Sequence, residues 1–394
     1  MDAETRTDVV TPPAGLDVAP DAETAADPGP APGSDPGSAA PSVPGRRRHR
    51  RRRTLMLFFG IPVAIAAVVG IAAGVAIWRV QSQVDHKIER FGDPFAAIPA
   101  ASRAPAAAQA ASAPTTAVNL LVFGSDSRIS AGDPSQWEAG AQRTDAIMLV
   151  HIPADRSGAY VMSIPRDSWV DVPGHGKNKI NAAFSYGGPA LAIQTVENLT
   201  GVKIDHMVVT DFTGFARITD LLGGVKITVP QTTHGDTWGI GKNFTAGTYV
   251  MDGQTALTYV RQRYVLPGGD FDRVKRQQNW IRAIMRGAAD SGAVTDPNKL
   301  LELLDTVASS VSTDSGFSIG EMRDLALSLR HVGPGGVAFM TAPIAGTGWS
   351  PDHQQSIVLL DTAKSRTLWA AVRSDKVATW ISGTKYGTLD ESVR

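Results

Sequence analysis

The sequence of 394 residues contains no cysteine. This absence excludes a disulfide framework, a zinc site with cysteine ligands and a thiol nucleophile. It does not fix the redox compartment, because many extracytoplasmic proteins form no disulfide. The chain also lacks net charge, with 38 basic and 38 acidic residues. Because 43% of the residues are hydrophobic, the composition excludes a chain that is disordered throughout.

The zero net charge is a cancellation between two neighbouring blocks. Residues 1–45 contain eight acidic residues and one arginine, and they are rich in Pro, Ala and Gly. Such a composition cannot bury a core, so we predict a disordered tail. Residues 46–53 then contain seven arginines and one histidine. The tail carries about −7 and the arginine cluster about +7.

An apolar segment follows the arginines. No charged residue occurs from Leu55 to Ile77. These roughly 23 residues, at about 1.5 Å each, are enough to cross a hydrocarbon core of about 30 Å. Arginines flanking a span stay on the cytoplasmic side, which leaves everything after Trp78 outside. We therefore predict a single-pass membrane protein with a cytoplasmic tail at 1–53 and a transmembrane helix at 54–78.

Two other interpretations of these segments were weighed. The arginine cluster could be a nuclear signal or a nucleic-acid patch, but directly beside a span it is better explained as a determinant of topology. The apolar run could be a cleaved signal peptide, but it is too long and begins too far from the N-terminus. We expect the membrane, and not nucleic acid, to be a partner of this chain.

The remaining residues divide into a connector and one domain. Residues 79–117 combine charged residues at helical spacing with an Ala, Pro and Ser-rich stretch from Asp93 to Thr116, which predicts a stalk and a semi-rigid linker. Residues 118–394 are predicted to form one extracytoplasmic domain. Apolar runs bounded by Gly, Asp or Pro predict strands, and 3.6-residue periodicity predicts helices. The predicted strands are 118–124, 146–152, 159–164, 206–210, 225–229 and 257–263, and the helices are 189–200, 272–285 and 300–311. This order predicts an α/β fold with a mixed central sheet covered by helices.

Two aspartates mark the ends of the first predicted strands. Asp126 follows the first strand and Asp145 precedes the second. If these strands are antiparallel neighbours, the two carboxylates come together. Converging carboxylates suit Mg²⁺ or Mn²⁺, which prefer oxygen ligands and share them with substrate phosphates. The alternative is that both aspartates only cap turns.

Basic residues gather in the same half of the domain. Arg166 follows the third strand, and Lys179 lies in a glycine-containing basic loop. Tyr259 to Arg263 is predicted as a strand, which would put alternate residues on one side. On the following helix, residues three and four apart share a face. The cluster consists of Arg261, Arg263, Arg273, Arg276 and Gln277. Several arginines at such spacings favour an anion site, with phosphate as the preferred ligand, over a salt-bridged surface.

These motifs occur in the order typical of one protein family. They are Gly124 to Arg128, Arg143-Thr144-Asp145, Ser163 to Asp167, Lys179 to Ala183, Thr195-Val196-Glu197, Asp220 to Val225, Ala256 to Arg263 and Asp270 to Gln278. The sequence from about Val118 to Met285 resembles the LytR-CpsA-Psr family. The topology of a cytoplasmic tail, one span and an external domain is similar to that family as well.

The resemblance implies a Mg²⁺-dependent phosphotransferase that moves a glycopolymer from a polyprenyl-pyrophosphate carrier to peptidoglycan. It implies an α-β-α sandwich with a long apolar pocket for the lipid. Asp126 and Asp145 correspond to metal-site aspartates, and Lys179 is similar to a phosphate-side lysine. The residues implied around the pyrophosphate are Arg143, Arg166, Arg261, Arg263, Arg273, Arg276 and Gln277. The residues that could line the lipid pocket are Phe184, Val208, Phe212, Phe215, Ile218 and Leu222, although for each residue taken singly ordinary core is the favoured interpretation.

A phosphotransferase of this kind would mainly position its substrates and neutralise charge. Asp126, Asp145, Arg143 and Arg166 are the expected catalytic residues. Asp126, Asp145 and Asp167 are all candidates to accept the proton of the attacking hydroxyl. A polyprenyl-pyrophosphate hydrolase would use the same residues with water. A non-catalytic lipid or glycan-binding module and a transcription attenuator are further alternatives, although no helix-turn-helix pattern occurs in the cytoplasmic segment.

Overall fold

A mixed sheet of seven strands is the centre of the part of the chain that the computed structural model describes, namely residues 88–106, 115–125, 144–235, 242–262, 265–293, 296–384 and 386–389. Its strands are β1 (Glu89–Arg90), β2 (Val118–Ser125), β3 (Thr144–Ile152), β4 (Ala159–Ser163), β7 (His206–Asp211), β10 (Val311–Thr313) and β11 (Val337–Thr341). Their order across the sheet is β1-β10-β7-β2-β3-β4-β11.

At the centre of the sheet, strands that are consecutive in the sequence pair with each other. Strand β2 runs antiparallel to β3, and β3 runs antiparallel to β4. Strand β2 also pairs with β7 in parallel, and β4 pairs with β11 in parallel. The predicted antiparallel neighbours β2 and β3, and the predicted mixed sheet, are therefore confirmed.

Helices cover both faces of the sheet. They are α1 (Ala182–Thr200), α2 (Phe212–Leu221), α3 (Gly253–Arg261), α4 (Asp270–Asp290), α5 (Pro297–Ala308), α6 (Ile319–Ser328), α7 (Thr362–Arg373) and α8 (Val377–Thr384). On one face Leu121 and Phe123 of β2 pack in a core cluster with Ile193 of α1 and Leu368 of α7. On the other face, Ala146, Met148 and Val161 pack with Ile281 of α4 and Leu325 of α6. Alternate side chains of a strand point to opposite faces, which is why one apolar run can supply both clusters.

Three two-stranded hairpins complete the described fold. They are β5 (Trp169–Val172) with β6 (Gly176–Lys179), β8 (Val225–Val229) with β9 (Gly247–Met251), and β12 (Ile344–Trp349) with β13 (Ser356–Leu360). The β8–β9 hairpin packs with α2, α3 and α4 around a separate apolar cluster that includes Ile227, Leu257 and Trp280.

Helix α1 is longer than the predicted helix at 189–200 and has a break before Pro189. Gly187 and Gly188 are not helical, and Gly188 has a φ of 58°. The regular helix restarts at Pro189, whose fixed φ suits a first turn. It ends at Gly201 in the left-handed conformation, with φ 65° and ψ 12°. The predicted boundaries of this helix, Pro189 and Gly201, are confirmed.

The predicted strand at 257–263 is wrong. Residues 257–261 belong to helix α3, which ends at Arg261. Asp252 caps the N-terminus of this helix, and its side chain accepts a hydrogen bond from Thr255 N at 2.7 Å. Ala256, Leu257 and Val260 are buried at helical spacing. The alternation of Leu257, Tyr259 and Arg261 has the two-residue period of a strand. The Asp252 cap and the buried residues at helical spacing favour a helix instead. The predicted helix at 300–311 also differs, since it ends at Ala308 and Val311 starts β10.

Part of the predicted linker is folded. Within 79–117, residues 88–106 pack against the domain, because β1 pairs with β10 and the side chains of Ile88, Phe91 and Ile98 are buried. Ile88 and Phe91 precede the Ala, Pro and Ser-rich stretch and Ile98 lies within it, and together with the ion pair of Arg103 with Glu197 they hold the segment. The folded part of the chain therefore extends back at least to Ile88, rather than starting near Val118.

None of the helices in the described ranges is both long and apolar enough to cross a membrane. The predicted acidic tail, arginine cluster and transmembrane helix at 1–78 lie outside the described residues.

Candidate active site

The candidate site lies where the central strands end. Strand β2 ends at Ser125, which pairs with Thr144 at the start of β3 and with Asp211 at the end of β7. Gly124 pairs with Ala146, so Asp145 is the extra residue of a β-bulge. Bulges are common beside active sites, where they change the direction of a side chain. The register thus brings the backbone positions of Asp145 and Asp211 to the same end of the sheet.

This placement bears on the predicted metal site. Asp126 and Arg143 lie outside the described residues, and only the backbone of Asp145 is described. Within the described ranges, no three His, Asp or Glu residues are grouped as metal ligands. The bulge puts one acidic position, Asp145, at this end of the sheet. Carboxylate oxygens are what Mg²⁺ prefers, so this donor type fits the ion. Asp211, at the end of β7, is not among the site residues predicted from the sequence.

A chain of ion pairs extends from the same edge. Lys179 Nζ lies 3.0 Å from Asp167 Oδ1, and Arg166 Nε lies 3.9 Å from Asp167 Oδ2. Arg166 Nη2 lies 3.5 Å from Asp270 Oδ1, which is 2.7 Å from Arg273 Nη2. All five side chains are between 9% and 22% exposed. Three predicted anion-binding residues, Lys179, Arg166 and Arg273, are thus brought together, and two carboxylates hold them. We call these five residues the ion-pair network.

The position of Arg166 follows from the strand before it. The backbone N–H of Ile164 donates to Ile147 O at 2.8 Å, which continues the β3–β4 pairing past the end of β4. Arg166 therefore leaves the sheet beside the first residues of β3. The backbone N–H of Asn181 donates to Arg166 O at 3.2 Å, so the loop after Lys179 folds back on the same point.

Helix α4 supplies the second side of the site with an unusually polar buried face. Gln278 Nε2 donates to Ser163 Oγ at 2.7 Å and to Met340 O at 2.9 Å. These bonds fix α4 against the ends of β4 and β11. Gln277 stands one turn after Arg273 and is 4% exposed, and its Oε1 has no hydrogen-bond partner among the described residues. A buried polar atom without a partner is costly in a folded protein, and a ligand can supply the missing donor.

Arg276 makes internal contacts, and its predicted contact with an anion stays a prediction. Its Nη1 donates to Tyr259 O and to Gln262 Oε1, both at 3.0 Å. Its guanidinium lies 4.0 Å from the centre of the Tyr259 ring. Burial lowers the pKa of Arg276 and raises the pKa of the Tyr259 hydroxyl. Arg276 thus contacts the C-terminal end of α3, and these contacts lie inside the fold.

The remaining basic residues are only partly described. Arg261 is the last residue of α3, so the predicted pair of arginines on one strand face does not form. Arg263 lies outside the described residues. The expected contact of Arg261 with an anion stays a prediction.

The six residues predicted for a lipid pocket lie in different places. Phe184 packs 5.5 Å from Phe123, between the sheet and α1. Phe215 packs 5.7 Å from Trp280, and Leu222 joins the same cluster. Val208 is on β7 and Ile218 on α2, while the side chain of Phe212 lies outside the description. Phe184 and Phe215 thus belong to separate clusters, and an apolar lipid pocket stays a prediction.

A polar cleft adjoins the ion-pair network. Its volume is about 520 Å³, and it is lined by Arg166, Asp167, Asn178, Lys179, Asn181, Ala182, Ser185, Tyr186, Gln354, Gln355 and Ser356. The amide residues of this cleft are not among the site residues predicted from the sequence. Asn178 and Asn181 lie in the basic loop, whose charge is its conspicuous feature, and Gln354 and Gln355 lie in a region whose motifs are weak. Asp270 is not among them either, although its position just before Arg273 at a helix start is a usable signal.

Comparison with known proteins agrees with this fold. The sequence model of the LytR_cpsA_psr family matches residues 96–371, and the chain belongs to that family. It is 32% identical over 281 residues to the cell wall biosynthesis protein LcpA of Corynebacterium glutamicum, covering 62% of this chain and 53% of LcpA. This chain therefore spans about half the length of that relative.

Two further comparisons extend the match. The chain is 30% identical to a protein of Oceanobacillus iheyensis named polyisoprenyl-teichoic acid–peptidoglycan teichoic acid transferase TagU, covering 68% of this chain and 80% of that one. The solved structure of TagT bound to LI-WTA superposes with a TM-score of 0.52 at 24% identity, covering 70% of this chain and 96% of TagT. The likeness to TagT shows a shared fold.

Proposed function

We propose that this chain is a membrane-anchored phosphotransferase that transfers a glycopolymer from a polyprenyl-pyrophosphate carrier to peptidoglycan. The observation that carries the proposal is the ion-pair network, in which Lys179, Arg166 and Arg273 are arranged by Asp167 and Asp270. Membership of the LytR-CpsA-Psr family supports it, as does similarity to a relative named as a teichoic acid transferase. The predicted span at 54–78 would anchor the domain beside its lipid-linked donor.

The network suits a pyrophosphate because its cations are already oriented. A guanidinium presents a planar fork of donors that matches phosphate oxygens, whereas lysine contributes a compact charge. Asp270 holds Arg166 and Arg273 near each other, and Asp167 holds Arg166 near Lys179, before the anion arrives. Orientation that is built into the fold lowers the reorganisation needed in the transition state. The unpartnered Oε1 of Gln277 would accept a bond from a substrate hydroxyl.

Asp126 and Asp145 would hold Mg²⁺ at the bulged edge of the sheet. The ion would supply charge neutralisation on the pyrophosphate oxygens. Arg166, Lys179 and Arg273 would bind the same group from the protein side, and the arrangement would place the phosphorus in line with the acceptor.

The transfer would form one bond and break one. A muramyl hydroxyl oxygen would bond to the phosphorus that carries the sugar. The bond from that phosphorus to the bridging oxygen would break, and polyprenyl phosphate would leave with the electron pair. The hydroxyl proton would pass to a carboxylate, for which Asp126, Asp145 and Asp167 are the candidates.

A reconstituted assay tests the proposal. The full-length chain in lipid vesicles is given a polyprenyl-pyrophosphate-linked disaccharide and peptidoglycan oligomers, and both the modified peptidoglycan and the released polyprenyl phosphate are measured. Arg166→Ala should lower kcat/KM by about 100-fold, the loss typical of one transition-state charge contact. Arg366→Ala, at an exposed position of α7, is the matched control and should leave it unchanged. Release of polyprenyl phosphate with the sugar phosphate transferred only to water would assign a hydrolase instead.

A further inference from the structure

A groove beside the C-terminal half of helix α4 lies apart from the ion-pair network. Its volume is about 480 Å³. One wall comes from the β8–β9 hairpin and the turn before it, and the other comes from α4 and the residue after it. Arg282, which lines the groove, follows Asp270 of the network by roughly 18 Å along the helix, at about 1.5 Å per residue. The groove is therefore a separate site.

The first wall of the groove is an edge of strand β8. Consecutive side chains of a strand point to opposite faces, yet both Val225 and Lys226 line the groove. Val225 is 1% exposed in the apolar cluster that contains Trp280, whereas Lys226 is exposed. A groove that meets both residues runs along the edge of the strand. Among the strands in the described ranges, β8 pairs only with β9, so no third strand covers this edge there.

Helix α4 holds the second wall close to this edge. A methyl group added at Gly287 would lie 3.4 Å from Val225 Cγ1, so the helix and the start of β8 are in contact at this point. Arg282 is fixed as well, because its Nη2 donates to Leu389 O at 2.8 Å and its guanidinium lies 5.1 Å from the centre of the Phe339 ring. The groove between strand and helix is thus formed by the packing of the domain.

The charged side chains along the groove are mostly basic. Lys226, Arg282 and Arg286 line it, and Asp290 is the one acidic residue among its described lining residues. Their sum is about +2. Residues four apart lie on one face of a helix, so the charges of α4 follow one another along the groove. Such a lining attracts an acidic ligand and disfavours a basic one.

The two faces of β8 define the side-chain pattern of a strand that pairs with this edge. Lys226 and Thr228 point to one face, and Val225 and Ile227 point to the apolar cluster on the other. Directly opposed residues of paired strands lie about 5 Å apart on one face. An added strand would place acidic side chains beside Lys226 and apolar side chains beside Val225 and Ile227. The pattern that fits is an alternation of acidic and apolar residues.

We propose that the groove between β8 and α4 binds an extended acidic segment of a partner protein, which adds to the β8–β9 hairpin as a third strand. In strand addition the main-chain hydrogen bonds supply affinity, and alternate side chains supply specificity. A sheet of three strands is also more stable than an isolated hairpin. Binding at this groove uses no residue of the ion-pair network, so it goes beyond the proposed transfer and does not depend on it.

A titration with defined peptides tests the proposal. The probe is a fluorescein-labelled heptapeptide of alternating glutamate and valine, titrated into the full-length chain in detergent and followed by fluorescence anisotropy. It should bind at least tenfold more tightly than the corresponding peptide of lysine and valine. Replacing its central valine with proline keeps the charge but removes an N–H donor, and should weaken binding about tenfold. Equal affinity for the acidic probe and either comparison peptide would overturn the proposal.

Charge-reversal variants locate the binding. Lys226→Glu and Arg286→Glu should each weaken binding of the acidic probe about tenfold, because each replaces an attraction with a repulsion. The matched control is Lys364→Glu on α7, where the side chain is 67% exposed and does not line the groove. Lys226 is exposed, so its reversal leaves the fold intact even if that of Arg286 does not. Unchanged affinity in Lys226→Glu would sink the proposal.

Hydrogen exchange shows whether the probe pairs with the strand. The acidic probe should slow the exchange of amides within Val225–Val229 about tenfold and leave those of Ser356–Leu360 unchanged. No added protection in β8 would overturn the proposal. A chain lacking residues 390–394 identifies the occupant, because Arg282 already bonds to Leu389. If the probe binds only to that shortened chain, the groove belongs to the chain's own C-terminal residues, and the proposal of a partner protein fails.

Discussion

Arg103 donates hydrogen bonds from Nε and Nη2 to the carboxylate of Glu197, at 3.0 to 3.1 Å. The same carboxylate accepts the backbone N–H of Ala104 at 2.9 Å and of Ile204 at 2.8 Å. The side chain of Glu197 is fully buried, and that of Arg103 is 18% exposed. This pair ties the segment before β2 to the end of α1 and to the start of β7. It shows why that segment is part of the domain.

Arg103→Ala should lower the free energy of unfolding by about 3 kcal/mol, because it leaves a buried carboxylate without its cation. Urea unfolding of the full-length chain in detergent, followed by near-ultraviolet circular dichroism, measures the change. The control is Arg323→Ala, which removes an ion pair of 2.7 Å to Asp324, a residue that is 67% exposed. Exposed pairs contribute about 0.5 kcal/mol. Equal losses in the two variants would contradict the prediction.

This pair also shows where prediction from the sequence stops. Strands β2, β3, β4, β7 and β8 could be predicted because each is a short apolar run between turn residues. Arg103 and Glu197 are 94 residues apart, and no local pattern connects them. The Ala, Pro and Ser-rich composition around Arg103 predicts a linker, and the burial of Ile88, Phe91 and Ile98 together with this ion pair overrides it.

The candidate site was predictable to a similar extent. Charge placement indicated an anion site, and Lys179, Arg166 and Arg273 are joined by ion pairs in the fold. Sequence spacing could not distinguish the role of Arg273 from that of Arg276, because both residues lie on the buried side of α4. The difference comes from Tyr259 and Gln262, whose position depends on α3 being a helix.

Arg276→Met should destabilise the fold more than Arg273→Met. Arg276 bonds to Tyr259 O and Gln262 Oε1 and lies over the Tyr259 ring. Gln262 Oε1 keeps its bond from Thr233 Oγ1, but the loss of the other buried contacts should cost about 2 to 3 kcal/mol. Arg273 pairs with Asp270, whose side chain is 19% exposed and keeps its pair with Arg166, so the loss of Arg273 should cost less. Thermal unfolding compares the two. Titration with polyprenyl pyrophosphate should show weaker binding in Arg273→Met, and the reverse order of stabilities would contradict these roles.

Gly253→Ala should separate α3 from α2. A methyl group at Gly253 would lie 2.1 Å from Ala216 O and 2.6 Å from its carbonyl carbon. These are backbone atoms, so the clash is relieved only by moving a helix. The shift would also strain the bond from Gly253 N to Asp220 Oδ1, which is 2.7 Å long.

The expected loss in the free energy of unfolding for Gly253→Ala is about 2 to 3 kcal/mol, as for an overpacked core. Gly333→Ala is the control, because nothing lies within 4 Å of its added methyl group. Urea unfolding should show that control to be neutral or slightly stabilised, since alanine restricts the unfolded chain. A neutral Gly253→Ala variant would mean that the two helices are less tightly packed than described.

Asp270→Asn should lower kcat without raising the donor KM. Asp270 Oδ1 lies 3.5 Å from Arg166 Nη2 and 2.7 Å from Arg273 Nη2, so its charge holds the two guanidiniums near each other. Asparagine keeps the size but not the charge, and each guanidinium then loses its orientation. We expect kcat to fall about tenfold through this misplacement. The added net positive charge attracts an anionic donor, so its KM should stay the same or fall.

Asp272→Asn is the matched control for this effect, because Asp272 lies on the same first turn of α4 but pairs with Lys275 at 3.1 Å. It removes the same charge two residues away and leaves the ion-pair network intact. Steady-state transfer by both variants, with donor and acceptor varied separately, distinguishes orientation from general electrostatics. Similar kcat values for Asp270→Asn and Asp272→Asn would show that Asp270 does not position the arginines. A fall in kcat confined to Asp270→Asn would support its positioning role, because both variants change the net charge equally.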